Sequence, residues 1–181
     1  MYGLVNKAIE ELVTENFGSE VWNKVKTNSG VKVEFFLSNE AYDDSITYQL
    51  ANAASSVLGV ELKEVMILFG EWWILHTCKE KYGQMMNAGG NNLRAFILNL
   101  PKFHDRVYLM YPKLAPPEFK TEVINEQTLL LHYFSKREGL QEFVRGLLQG
   151  LSKFFNEPVA IELIESRLDN HDHEIYKISW V

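Results

Sequence analysis

Tyr133, Ser135 and Arg137 alternate with Phe134 and Lys136 in a five-residue stretch. In an extended chain, side chains two apart share a face. That face would offer two hydroxyls and a guanidinium fork, a set suited to a ligand bearing carboxylates or phosphates. A second stretch runs from Phe103-His104-Asp105-Arg106 through Tyr111-Pro112-Lys113-Leu114-Ala115-Pro116-Pro117 to Phe119. His104 contributes an imidazole, the commonest metal ligand and a usual axial ligand of haem iron. A haem requires one axial base and donors for two propionates, and the two stretches together supply both. By residue type alone, a histidine on an apolar helix face is more often a packed core residue than a ligand. Likewise, Arg137 alone reads as a solvated residue near a helix start, where positive charge is mildly unfavourable.

Rival constellations are thin. His171-Asp172-His173 places two histidines two apart on a polar turn, without the further ligands zinc requires, so a solvated hairpin is the better reading. His76 follows Trp73 by about one helical turn and is a weak competitor as an iron ligand. Nothing near Cys78 would depress its pKa, so it reads as a small buried residue. His132 falls on the face opposite Tyr133 and is expected to be exposed. The chain shows no nucleophile elbow, phosphate loop or paired-carboxylate motif.

The elements that must position these residues follow from periodicity. Apolar residues recur at helical spacing from Tyr2 to Asn16, and Ser19 is a candidate cap for a helix over Glu20–Lys26. Val31–Ser38 reads as irregular. Asp43-Asp44 should cap a helix over Ile46–Leu58 that Gly59 stops. Leu62–Lys81 reads as one helix with a broad apolar face, buried on more than one side. Gly83–Asn91 is a loop or short helix. Leu93–Leu100 is helical, and Pro101 suits the first turn of a separate helix that carries His104 to about Met110. Pro112, Pro116 and Pro117 stiffen an extended segment. Strands are expected over Phe119–Asn125, Thr128–Phe134, Val159–Glu165 and His173–Trp180, with a helix over Glu138–Phe155. The fold class is therefore α+β: a helical N-terminal lobe, then a C-terminal lobe with a four-stranded antiparallel sheet and a packed helix, with the ligand between them. One domain over 1–181 is expected, with 1–60 as the helical lobe and 61–181 as the pocket and sheet lobe.

Composition narrows the function class. The 181 residues carry a net charge of −6 and no basic run, which disfavours nucleic-acid binding. The single cysteine, Cys78, fits a reducing cytoplasm. No apolar run approaches the roughly 18 residues that would span a bilayer, so membrane insertion is not expected.

At these residues the chain resembles the haem–nitric oxide/oxygen binding (H-NOX) family, which includes stand-alone bacterial gas sensors and the haem domains of soluble guanylate cyclase. The matching pieces are Met1-Tyr2-Gly3-Leu4-Val5-Asn6, Tyr42-Asp43-Asp44, Thr47-Tyr48, Phe69-Gly70-Glu71, Leu100 to His104, Tyr111-Pro112 to Phe119, and Tyr133-x-Ser135-x-Arg137-Glu138-Gly139-Leu140. Each alone is weak; their order over nearly the whole chain is the signal.

The resemblance implies haem b, with His104 as proximal iron ligand, Tyr133, Ser135 and Arg137 as propionate anchors, and Pro117 packed against the porphyrin. It places Leu4, Val5, Trp73, Phe143 and Leu147 on the distal side. Some family members hold O2 with a hydrogen bond from a distal tyrosine; the matching position here is Phe143, which cannot donate. The implied ligands are NO and CO, with O2 excluded, although Trp73 and Tyr2 bring donors to the same region. Binding of NO opposite His104 would weaken the iron–histidine bond and let the lobes shift. No effector segment fits beside the expected domain, so output is expected to pass in trans, by resemblance to a histidine kinase or a cyclic-di-GMP enzyme. The resemblance implies a sensor and no catalytic residues. The alternative is a haem enzyme such as a peroxidase or an NO-consuming catalyst, for which the expected apolar pocket lacks an acid–base group; a scaffold without haem is a third reading.

Overall fold

The computed structural model describes residues 1–110 and 116–180. The Tyr111-Pro112 match, and most of the stiff segment expected after Met110, fall at 111–115, outside the described residues. The chain opens with helices α1 (Gly3–Phe17), α2 (Ser19–Ser29), α3 (Asp44–Leu58) and α4 (Leu62–Trp72). A π-helical segment, Trp73–Cys78, continues directly into α5 (Lys79–Gly89), and α6 (Leu93–Met110) follows. Then come strands β1 (Glu118–Asn125) and β2 (Thr128–Phe134), helix α7 (Gln141–Phe155), β3 (Val159–Glu165), a 3-10 turn (Arg167–Asp169) and β4 (Glu174–Trp180). The strands form one antiparallel sheet in the order β1-β2-β4-β3. This is the α+β arrangement the periodicity predicts.

Several boundaries depart from expectation for identifiable reasons. Asp43 does cap α3, accepting from the Ser45 backbone N–H at 2.8 Å, and Gly59 ends it in the left-handed conformation. Ser19, in contrast, is the first helical residue of α2; Gly18 holds the cap position and no side chain caps it. Pro101 does not start a new helix, because α6 runs through it. Phe96, Ile97, Leu100 and Phe103 form one buried stripe across the proline, and that burial carries the helix past one missing N–H. The Leu62–Lys81 stretch is not one regular helix but is divided by the π segment. Helix α7 begins at Gln141, not Glu138, because Gly139 stands at φ +72, a conformation that no helix accommodates. Arg137 therefore lies in a loop four residues ahead of the helix.

Among the described residues the interior holds two large buried cores and a small third cluster of Ala51, Met66 and Leu140. One gathers Ala8, Ile9, Val13, Val25, Leu50 and Ala54 from α1–α3 with Val65, Phe69 and Trp72 of α4. The other gathers Leu129, Leu131 and Tyr133 of β2, Tyr176 and Ile178 of β4, Val144, Leu148 and Leu151 of α7, and Ile74 and Cys78 of the π segment. In β2, alternate residues are buried, so Tyr133 shares its inner face with Leu129 and Leu131. The α4-to-π stretch thus serves both cores, in line with its broad apolar face.

Helices α4 and α7 approach almost to backbone contact. A Cβ on Gly70 would lie 2.2 Å from the Phe143 carbonyl oxygen, and one on Gly146 would lie 2.1 Å from that of Ile67. Gly150 makes the same kind of approach to Glu71 and Ile74. Glycine inside a helix costs about 1 kcal/mol relative to alanine; here it permits a crossing that no other residue could.

Candidate functional site

The two cores meet at a cavity of about 260 Å³ with largely apolar walls. All ten residues singled out from the sequence line it: His104, Pro117, Tyr133, Ser135 and Arg137, with Leu4, Val5, Trp73, Phe143 and Leu147. They come from α1, the π segment, α6, β2, α7 and the two loops flanking the first hairpin, so the folded chain collects them from over a hundred positions.

His104 projects from α6, and its Nδ1 lies 3.1 Å from the Leu100 carbonyl one turn earlier. A carbonyl only accepts, so Nδ1 carries the proton and Nε2 keeps the lone pair in the neutral ring. Burial lowers the His104 pKa from its ordinary 6.5, with the Leu100 hydrogen bond and Asp105 acting weakly the other way. The imidazole is therefore held neutral, in the tautomer with an available Nε2. The His104 ring packs on Phe119 with centroids 4.8 Å apart, and Phe119 packs on Tyr133 at 5.3 Å.

Tyr133 is 3% exposed. Burial raises the pKa of its phenol, against a hydrogen bond to Ser135, so the phenol stays protonated. The Ser135 hydroxyl accepts from the Arg137 backbone N–H at 3.0 Å. The Arg137 guanidinium donates from Nε to Asp44 Oδ2 at 2.7 Å, tying this loop to the first turn of α3. Tyr48, also on α3 and also lining the cavity, donates from its hydroxyl to the Glu138 carbonyl at 2.8 Å. The Tyr133 and Ser135 hydroxyls and the Arg137 guanidinium thus belong to one stretch on a largely apolar cavity.

On the helical side, Phe143 and Phe69 stack obliquely at 4.9 Å, and Trp73 meets Phe69 edge-on at 6.3 Å. Tyr2 and Cys78 also line the cavity. His76 does not line it; its ring stacks on Trp72 at 3.6 Å.

A family model for haem–NO-binding domains matches residues 2–163. The chain belongs to this family, the H-NOX haem gas-sensor domains. Among curated relatives, the H-NOX chain is 29% identical over 180 residues to the soluble guanylate cyclase gcy-31 of Caenorhabditis elegans, covering 98% of this chain and 26% of that protein. With gcy-32 of the same organism it shares 31% over 156 residues, 84% of this chain and 23% of the relative. The chain therefore spans about a quarter of the length of these relatives. Its fold superposes on an H-NOX protein from Shewanella oneidensis in the Fe(II)NO state with TM-score 0.90, at 19% identity, covering 100% of this chain and 99% of the other. An unliganded Fe(II) H-NOX protein from K. algicida, carrying a single alanine-to-glycine substitution, matches with TM-score 0.82 at 23% identity, covering 100% and 97%.

Two sequence readings change in this H-NOX fold. His132, expected to be exposed, is half-buried on the outer sheet face, its Nδ1 2.8 Å from His173 Nε2. His173 in turn stacks on Phe134 at 4.1 Å, so the His171-Asp172-His173 turn is partly packed. No metal-holding cluster of His, Cys, Asp and Glu occurs among the described residues. Sequence reasoning also missed Phe119 as the ring between His104 and Tyr133, and Arg167, whose guanidinium donates to the Ser135 and Arg137 carbonyls at 2.8 and 2.7 Å. An arginine in a polar turn carries no local signal of such a role.

Proposed function

We propose that this H-NOX domain binds haem b through His104 and senses NO, and also CO, while excluding O2. The observation that supports this most is the neutral His104 with its Nε2 lone pair, on the same cavity as Tyr133, Ser135 and Arg137. These residues fit the cofactor: an imidazole for iron, apolar walls for a macrocycle, and hydroxyl and guanidinium donors for carboxylates. Haem iron, when bound, supplies the open coordination position for a diatomic gas. In this reading Pro117 would pack on the macrocycle, while Leu4, Val5, Trp73, Phe143 and Leu147 would form the gas-facing side.

Selectivity would follow from what that side lacks. Bound O2 carries partial negative charge and gains from a hydrogen-bond donor, whereas NO and CO need one far less. Phe143 offers none. The Trp73 indole packs edge-on to Phe69, which supports a space-filling role.

Signal transfer would run through α6. His104 is tied to Leu100 within its helix, and α6 packs on β1, whose Phe119 meets the His104 ring. A change in pull on His104 would thus be felt along the helix and the Phe119 contact. The domain is read as a cytoplasmic sensor without catalytic residues, acting on a separate effector, a histidine kinase or cyclic-di-GMP enzyme. No described helix is long and apolar enough to cross a membrane.

Absorption spectra of the ferrous protein under argon, in air and with NO provide the test. A five-coordinate spectrum unchanged by air and altered by NO is expected. A stable oxy complex would overturn the selectivity, and absence of a haem band would overturn the reading altogether. Rapid peroxide turnover would favour a haem enzyme instead.

A further inference from the structure

The loop that carries Ser135 and Arg137 is held from behind by a half-buried arginine paired with a buried carboxylate. Glu174, 1% exposed, is the first residue of β4 and pairs across the sheet with Tyr133. Arg167, in the 3-10 turn, directs Nε at both carboxylate oxygens of Glu174, at 2.9 and 3.1 Å. Its two remaining nitrogens reach past the carboxylate: Nη1 donates to the Ser135 carbonyl at 2.8 Å, and Nη2 to the Arg137 carbonyl at 2.7 Å. One guanidinium therefore joins the strand partner of Tyr133 to the backbone of the two residues that follow it at spacing two.

This geometry is specific to arginine. A carboxylate this deeply buried needs a full partner. A lysine could satisfy the charge, but its ammonium is a point donor without the planar fork that reaches two carbonyls at fixed spacing. Those carbonyls belong to the residues whose side chains line the cavity. Fixing them fixes where the Ser135 hydroxyl and the Arg137 side chain start.

We infer that Arg167, anchored by Glu174, is the positioning residue for the carboxylate-binding group of Tyr133, Ser135 and Arg137. The inference rests on the reading of those three residues as propionate anchors. Arg167 is not among the residues that line the cavity; it sets the backbone from which the anchors reach, as outer-shell groups orient the ligands of metal sites.

The test is the rate at which haem-loaded protein surrenders its cofactor to an excess of a haem-scavenging apoglobin. It is run with haem and with haem whose two propionates are methyl esters. Arg167→Lys is expected to lose ordinary haem roughly tenfold faster than wild type, and the gap should close with the diester, which has no carboxylate to position. In the haem-free protein, the Arg137 backbone N–H should exchange with solvent faster in R167K. The double variant Arg167→Met/Glu174→Leu removes both charges from the buried site; it should fold, by circular dichroism, and still release ordinary haem at the faster rate. Equal acceleration with both haems would mean a general structural role and overturn the inference, as would either variant matching wild type with ordinary haem. If wild type itself is indifferent to esterification, the propionate reading fails and the inference with it. If wild type is sensitive and the variants match it, the inference alone fails.

Discussion

Arg137 and Asp44 form an ion pair, Nε to Oδ2 at 2.7 Å, although 93 positions separate them in the chain. Burial works to raise the Asp44 carboxyl. The hydrogen bonds from the Met1 amino group and from Arg137 outweigh it and hold the pKa below its ordinary 3.8. A depressed carboxyl stabilises the fold above the unfolded value, and the contribution disappears as pH falls through the folded value. Asp44→Asn should therefore lower stability at pH 7 and converge with wild type in acid well below pH 3.8. Because the carboxylate is partly exposed, the loss at pH 7 should not exceed about 1 kcal/mol, measured by urea unfolding of haem-free protein at several pH values.

His104→Gly should abolish stable haem uptake, and added imidazole should restore a haem band by filling the vacated ligand position. Burial depresses the His104 pKa below 6.5, so its imidazole stays neutral at and somewhat below that pH. The sign for the haem-free fold follows: protons bind the unfolded chain first, so stability falls as pH drops from 6.5 through the folded pKa. In His104→Gln that part of the acid sensitivity should be missing from the urea midpoints.

Phe143→Tyr would add a hydroxyl to a ring that packs on Phe69 at the cavity wall. Ferrous F143Y should hold an oxy complex in air that wild type lacks, with NO binding retained in both. An unchanged air spectrum would show that the phenol cannot reach bound gas. Trp73→Phe should leave NO binding intact.

Gly146→Ala sets two effects against each other. Alanine gains about 1 kcal/mol of helix propensity. Its Cβ would stand 2.1 Å from the Ile67 carbonyl oxygen, a backbone atom that cannot swing aside. Overpacking of this kind costs roughly 1–3 kcal/mol or more, so net destabilisation is expected in urea unfolding. Gly83→Ala, with nothing within 4 Å of the new Cβ, is the control.

Burial pushes the Cys78 thiol up to about 12. At pH 8 only roughly one molecule in ten thousand would carry the thiolate. Iodoacetamide should leave native Cys78 unmodified and alkylate it promptly in denaturant.

Local residue patterns carry much of this fold. Asp43 and Gly59 mark the ends of α3 because a cap and a left-handed stop are decided within a few residues. The alternation in β2 puts Tyr133 inward because burial on one face enforces period two. That His104 and the Tyr133–Arg137 stretch line one cavity accords with the ordered set of matching pieces, not with residue type alone. What stayed hidden depends on distant partners. Pro101 is carried through α6 by a buried stripe, and His132 is covered by His173, 41 positions away. Arg167 acquires its role only when the 3-10 turn folds back on the loop after β2. Gly146 and Gly150, spaced four apart in an otherwise strong helix former, were a usable sign of close helix packing.

The π segment at Trp73–Cys78 has a consequence for what insertions and deletions this chain can tolerate. Closing a turn on a residue further along adds about one residue to the helix without lengthening its path, and one residue is worth roughly 100° of rotation. Upstream, Val65, Phe69 and Trp72 face the core of α1–α3; downstream, Ile74 and Cys78 face the core built on the sheet. Removing a single residue between 73 and 78 would keep the helix and its composition. It would also turn the stretch from Lys79 to the kink at Tyr82, where the backbone leaves helical geometry at φ −132, and so move Tyr82 from the cavity it now lines. The partition between the two cores is set there by counting, a property no substitution scan would detect.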